Sequence, residues 1–107
     1  MSARALISVP PKAKKGDVIQ IKALMQHVME TGFRPNSMGV LIPRDIISAF
    51  TCTYNGVEVF RCEMFPAIAA NPFLTFHTVA TESGTLEFTW TGDNGFSARE
   101  SAKIQVE

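Results

Sequence analysis

Apolar and polar residues alternate along most of this chain with a period of two, the spacing of β-strands. The clearest run is Val18 to Met25. Ile19, Ile21, Ala23 and Met25 share one face there, and Val18, Gln20, Lys22 and Leu24 line the other. Ile46 to Met64 supplies two further runs of β-branched and aromatic residues, joined by Asn55-Gly56. That dipeptide predicts a two-residue hairpin turn, because both central residues of a type I′ turn need φ > 0. With Tyr54 facing Val57, one face carries Phe50, Cys52, Tyr54, Val57 and Val59. The other carries Thr51, Thr53, Glu58, Phe60 and Cys62. The first face is apolar throughout and calls for a second layer over it.

The rest of the chain follows the same rule with one interruption. Arg4 to Val9 reads as a short first strand, and Pro10-Pro11 through Gly16-Asp17 as a loop. Phe73 to Thr81 and Thr85 to Thr91 read as a second hairpin, with Gly84 taking the left-handed position of a three-residue loop. Leu86, Phe88 and Trp90 share a face and are the expected centre of the core. Asp93-Asn94-Gly95 is a turn, and Ser97 to Val106 a last strand in which Glu100 breaks the inner row and is expected before the sheet proper. Between Gln26 and Asp45 no period persists; a short strand over Gly39 to Ile42, or ordering by contact with something else, is expected there. Ala67 to Ala70 has room for one helical turn. These elements predict an all-β, immunoglobulin-like antiparallel β-sandwich of about seven strands, with a small barrel as the alternative. A chain of 107 residues makes a single domain, 1–107.

Composition narrows the function classes. Net charge is formally zero, so neither nucleic acid nor an anionic membrane is an expected partner, and weak charge repulsion favours association with protein. Residues 1–37 carry an excess of four positive charges and residues 38–107 an excess of four negative ones, which a sandwich intermixes. Lys12, Lys14 and Lys15 lack interleaved aromatics and read as a solvated loop. The apolar run Ala5 to Val9 is too short for a signal-peptide core, and no stretch is long enough to span a membrane. Composition alone therefore predicts a cytoplasmic chain or one already processed.

Catalytic chemistry finds no constellation. His27 and His77 lack the close spacing of metal ligands, both to each other and to Cys52 and Cys62, so no cofactor or metal is expected. The hairpin register puts the two sulfurs on opposite faces, which predicts free thiols. No nucleophile elbow, phosphate loop or dinucleotide fingerprint occurs. Apolar residues do gather in the loops, among them Met29, Phe33, Met38, Phe65 and Phe73, and these favour a protein partner.

Several separated stretches are also familiar. His27 with Met29-Glu30-Thr31-Gly32, Ile42-Pro43-Arg44, Tyr54-Asn55-Gly56, Asn71-Pro72-Phe73 and Glu82-Ser83-Gly84 occur in that order. With their surroundings, from about Ile7 to Val106, they resemble the SoxZ family. These are the small subunits of the SoxYZ sulfur-carrier complex of bacterial thiosulfate oxidation. The resemblance implies an immunoglobulin-like sandwich, a periplasmic location reached by export with the partner, and a non-catalytic scaffold role. It also implies a SoxY-like partner whose Gly-Gly-Cys-Gly-Gly arm carries the sulfur, visited in turn by other sulfur-oxidation enzymes. No such arm occurs here, since neither cysteine is flanked by glycine. His27, Met29, Phe33, Arg44, Asn71 and Phe73 are the expected partner-interface residues. The competing readings are a stand-alone immunoglobulin-like binding domain and an enzyme using His27 or a cysteine.

Overall fold

A computed structural model of the chain describes residues 4–107; residues 1–3, the start of the N-terminal stretch read above, lie outside the described part. The strands are β1 (Ala5–Ser8), β2 (Lys12–Ala13), β3 (Val18–Met25), β4 (Ile47–Tyr54), β5 (Val57–Glu63), β6 (Phe73–Val79), β7 (Gly84–Gly92) and β8 (Ser97–Val106). They form a three-stranded sheet in the order β1-β3-β6 and a five-stranded sheet in the order β2-β8-β7-β4-β5. Every pairing is antiparallel except the two-residue contact of β2 with β8, which is parallel.

In β3 and β7 the inward rows are those the alternation predicted. Ile19, Ile21, Ala23 and Met25 of β3 are buried, as are Leu86, Phe88 and Trp90 of β7. Phe50 joins them, its ring within 6.2 Å of Phe88 and 5.1 Å of Trp90 in the same sheet, and 6.0 Å from Phe76 in the facing one. Fully burying one such aromatic stabilises the fold by roughly 1.5–3 kcal/mol. The Asn55-Gly56 turn forms as expected, with φ of 49° and 83° and Tyr54 opposite Val57.

Beyond that turn the hairpin register departs from the expectation. Thr53 pairs with Glu58 but Cys52 with Phe60, so Val59 is an inserted bulge residue. The slip of one turns Phe60 and Cys62 inward, onto the face of Phe50 and Cys52. A stacked contact between Phe60 and Phe76, 4.2 Å centroid to centroid, explains why this register wins. The two cysteines therefore share a face, contrary to the prediction from an unbroken register, yet both remain free.

Other expectations are corrected. β6 and β7 do not form a hairpin: β6 pairs with β3, whereas β7 runs between β4 and β8. Residues 80–83 thus cross from one sheet to the other. The crossing is held by the Tyr54 hydroxyl, which donates to the Glu82 carbonyl and accepts from the N–H groups of Thr81 and Glu82 at 3.3 Å. Gly84 is not in a left-handed conformation; it is required because the Asn55 amide occupies the space its Cβ would need, 1.8 Å from Asn55 Oδ1. Glu100 lies within β8, opposite Phe88, rather than before the sheet. The predicted strand at Gly39–Ile42 reduces to a single bridge, Pro35 to Leu41. Ala67–Ala70 forms no helix; the turn there is closed by the Ile68 N–H donating to the Phe65 carbonyl at 3.0 Å.

The molecule measures 59 × 23 × 19 Å. A strand the length of β8 accounts for about 33 Å of that long axis, so the ends are built of loops. One end carries residues 26–46, 64–72 and 93–96, and the other carries 9–17, 55–56 and 80–83.

Candidate functional site

The end built from 26–46, 64–72 and 93–96, together with the first residue of β6, holds every residue predicted to meet a partner. Its order begins where β3 stops. The Gln26 N–H donates to the Arg4 carbonyl at 2.9 Å. His27 and Asn71 then clasp each other: the His27 N–H donates to Asn71 Oδ1 at 2.9 Å, and the Asn71 N–H to the His27 carbonyl at 2.8 Å. Asn71 does this from the left-handed region at φ 54°, which asparagine tolerates better than most residues. The imidazole is also fixed. Nδ1 accepts the Met29 N–H at 3.0 Å, so the ring proton sits on Nε2, which faces Asp45 Oδ1 at 3.6 Å. Phe96 meets the ring edge-on at 4.8 Å.

Residues 30–45 leave and re-enter the sandwich as two antiparallel legs. Glu30 and Asp45 exchange both backbone hydrogen bonds at 2.8 Å, and the Ile42 N–H donates to the Arg34 carbonyl at 2.8 Å. At the tip, Asn36 Oδ1 accepts the N–H groups of Met38 at 2.8 Å and Val40 at 3.1 Å. Gly32 lets the legs close: its φ is +87°, and a Cβ there would stand 3.0 Å from Arg44 Cβ. Arg44 clamps this loop to the 93–95 turn through a two-pronged ion pair with Asp93, Nε to Oδ2 at 2.8 Å and Nη2 to Oδ1 at 2.9 Å. The Arg44 guanidinium, helped by the Ile46 N–H, holds the Asp93 carboxyl below the usual carboxylate range. Arg34 does the same for Glu30.

The surface of this end is apolar. Phe33 is 77% exposed and Met38 84%, and Val28, Val40 and Leu41 are also exposed on the same loop. Phe65, Ile68 and Phe73 add to them from the neighbouring connection and the start of β6. Among the described residues these eight make up most of the twelve large exposed hydrophobic side chains. Beside them opens a cleft of about 630 Å³ lined by Arg4, His27, Asp45, Asn71, Phe96 and their neighbours.

The six predicted interface residues therefore divide. Phe33, Arg44 and Phe73 face solvent. His27 and Asn71 line the cleft, although the His27 side chain is only 6% exposed. Met29 is a correction. It is buried in the core at φ 51°, and its sulfur accepts the Ile47 N–H at 3.3 Å. It supports the loop from below and offers a partner no surface. Asp45, Asp93 and Phe96 escaped the sequence reading, because their importance lies in contacts with residues far away in the chain.

Neither thiol belongs to this end's surface. Cys52 is buried, and burial pushes its thiol up to about 12. Cys62 is half-buried within β5. Among the described residues no three His, Cys, Asp or Glu side chains come together as a metal-binding group.

Comparison with known proteins adds the context. Residues 7–103 match the family described as sulphur oxidation protein SoxZ. The curated proteins give no match. Among solved structures, a superoxide reductase (neelaredoxin) from Ignicoccus hospitalis is similar, with a TM-score of 0.71 at 20% identity over 96% of this chain and 80% of that one. The sulfur carrier protein SoxY from Chlorobium limicola f thiosulfatophilum is similar at TM-score 0.66 and 11% identity, over 96% of this chain and 78% of that one. At such identities the likeness speaks to the fold alone.

Proposed function

The chain belongs to the family of the sulphur oxidation protein SoxZ, and on that premise we propose that it is the non-catalytic half of a sulfur-carrier complex. Its partner is a SoxY-like protein whose Gly-Gly-Cys-Gly-Gly arm bears the intermediates of thiosulfate oxidation. This half supplies a rigid body and a docking end, to which other sulfur-oxidation enzymes come transiently. The pair works in the periplasm, exported together.

The observation that carries this reading is the apolar loop end. Eight exposed side chains, each able to bury on the order of 100 Å², amount to about the 800 Å² that one partner contributes to a standard interface. Phe33 is the anchor, and Arg44 stands beside Gly32 as the polar group with directional hydrogen-bonding capacity left over. His27, Asn71 and Phe73 border the contact, and Met29 shapes it from within. The sealed Cys52 and half-buried Cys62 are poor candidates for a carrier thiol, which must be exposed and mobile.

The test is coexpression with a SoxY-like chain. Native mass spectrometry is expected to find a stable pair, with added sulfur mass on the partner only after incubation with thiosulfate and the partner enzymes. Changing Phe33 and Arg44 together to Ala is expected to weaken the pair by about a hundredfold. Unchanged affinity in that variant would sink the proposed contact, and sulfur mass on this chain would sink the non-catalytic role. A stand-alone binding domain is the second reading, favoured by the cleft beside His27; it predicts a monomer that copurifies with no second chain.

A further inference from the structure

A sheet with two free edges needs protection at each, because unpaired N–H and C=O groups on a flat strand recruit another strand. This sandwich has four edges: β1 and β6 in the small sheet, β2 and β5 in the large one. Three are guarded. β1 is only four residues long and runs into Pro10-Pro11. β2 is two residues long and begins with Lys12. β5 is kinked by the bulge at Val59 and crossed by an ion pair from Arg61 Nη2 to Glu58 Oε1 at 2.9 Å.

β6 has none of these devices. Its seven residues, FLTFHTV, contain no Pro, Gly, Lys, Arg, Asp or Glu, and its register with β3 is unbroken from Phe73 to Val79. The direction of its free groups can be worked out. The Pro72 carbonyl accepts the Met25 N–H, and the Ala80 N–H donates to the Asp17 carbonyl. Even-numbered residues therefore point their backbone groups toward β3. By alternation, the N–H and C=O groups of Phe73, Thr75, His77 and Val79 point away from it, where no strand of the described residues lies. The side chains of these same four residues are exposed on the outer face.

We propose that this edge pairs with β6 of a second copy of the chain, antiparallel about a two-fold axis at Phe76. The sequence of the strand selects that occupant. Along the exposed row the order is apolar, polar, polar, apolar (Phe73, Thr75, His77, Val79), so the strand is complementary to itself when reversed. With Phe76 opposite its own copy, Phe73 faces Val79 of the second copy and Thr75 faces His77. All seven residues pair in this register, and each outward-pointing residue meets another outward-pointing residue, as an antiparallel ladder requires. The two small sheets then become one six-stranded sheet. The pairing does not depend on the SoxY-like partner, which is proposed at the loop end and meets this strand only at its first residue, Phe73. If both hold, two carrier pairs are joined through this chain.

The test uses the full chain alone. Raising its concentration from about 10 µM to about 1 mM is expected to produce a dimer by sedimentation velocity, with amide exchange slowed at least about tenfold at residues 73, 75, 77 and 79. Even-numbered amides of the strand are expected to be protected at every concentration. Thr75→Pro, which removes only an outward N–H, and Val79→Lys, which charges the outer face, are each expected to leave the circular dichroism unchanged and the chain monomeric. A wild-type chain that stays monomeric throughout overturns the pairing. So does a dimer that survives both substitutions, or outward amides that exchange at one rate at all concentrations. Protection of those amides only in the mixed complex also overturns it and assigns the edge to the SoxY-like chain.

Discussion

Treating the native chain with excess iodoacetamide at pH 7 asks whether either of its thiols is available for sulfur chemistry. Alkylation needs the thiolate, so its rate follows the ionised fraction as well as access. Burial pushes Cys52 up to about 12, which leaves roughly one side chain in 10⁵ ionised at pH 7, against about 3% for an unperturbed cysteine. Cys52 is therefore expected to react at least about a thousandfold more slowly than a free thiol, and more slowly still where the sandwich must open to admit the reagent. Intact-mass kinetics should show at most one adduct, mapped to Cys62, with the second appearing only in denaturant. The same burial sets a sign for alkaline stability. The folded state holds the Cys52 proton more tightly than the unfolded chain, so the contribution is fully present below about pH 8.5 and declines above it by up to about 1.4 kcal/mol per pH unit. That slope should vanish in Cys52→Ala, which separates it from the titration of other groups. Labelling of Cys52 within tenfold of the rate of Cys62 would refute the sealed-core argument.

Three further perturbations address the latches. Tyr54→Phe leaves the N–H groups of Thr81 and Glu82 and the Glu82 carbonyl without their hydroxyl partner, and is expected to destabilise by about 1–3 kcal/mol in urea unfolding; a change under about 0.5 kcal/mol would show that solvent replaces the contact. Gly84→Ala must displace the Asn55 amide and with it the 2.9 Å bond from the Thr85 N–H. It should be less harmful in an Asn55→Gly background, and additive losses in that double-mutant cycle would argue against the clash. Asp93 titrates below the usual range in the folded state, so its clamp on Arg44 contributes fully above about pH 4 and is lost as pH falls toward the lowered value. Amide exchange in the 93–95 turn is expected to speed up over that window in the wild type and not in Asp93→Asn.

Three of the motifs that carried the family resemblance are latches rather than chemistry. Tyr54-Asn55-Gly56 and Glu82-Ser83-Gly84 touch each other: Asn55 Oδ1 accepts the Thr85 N–H, and Asn55 Nδ2 donates to Glu82 Oε1 at 3.2 Å. Ser83 extends the join to β8, accepting the Val106 N–H at 2.8 Å. Asn71 is the counterpart at the other end, holding His27. Such contacts span gaps of 23 to 44 residues, a distance over which no local pattern operates.

Local and periodic features were legible in the order of residues alone. Alternation identified β3 and β7 with their buried rows and β8 as a strand, and Asn55-Gly56 set its turn because two left-handed residues leave the backbone few alternatives. It did not decide which strands pair. The run from Phe73 to Thr91 looks like a hairpin in isolation, and contacts arriving from other strands, the Tyr54 hydroxyl and the Asn55 amide among them, turn it into a crossing between sheets. Nor did it decide the register beyond a tight turn. Burying Phe60 against Phe76 outweighs an unbroken ladder and moves Cys62 to the other face. The loop from 26 to 46 is the extreme case. With few regular backbone pairs of its own, it takes its shape from contacts such as Arg44 with Asp93 and His27 with Asn71, which exist only once the sandwich has brought its ends together.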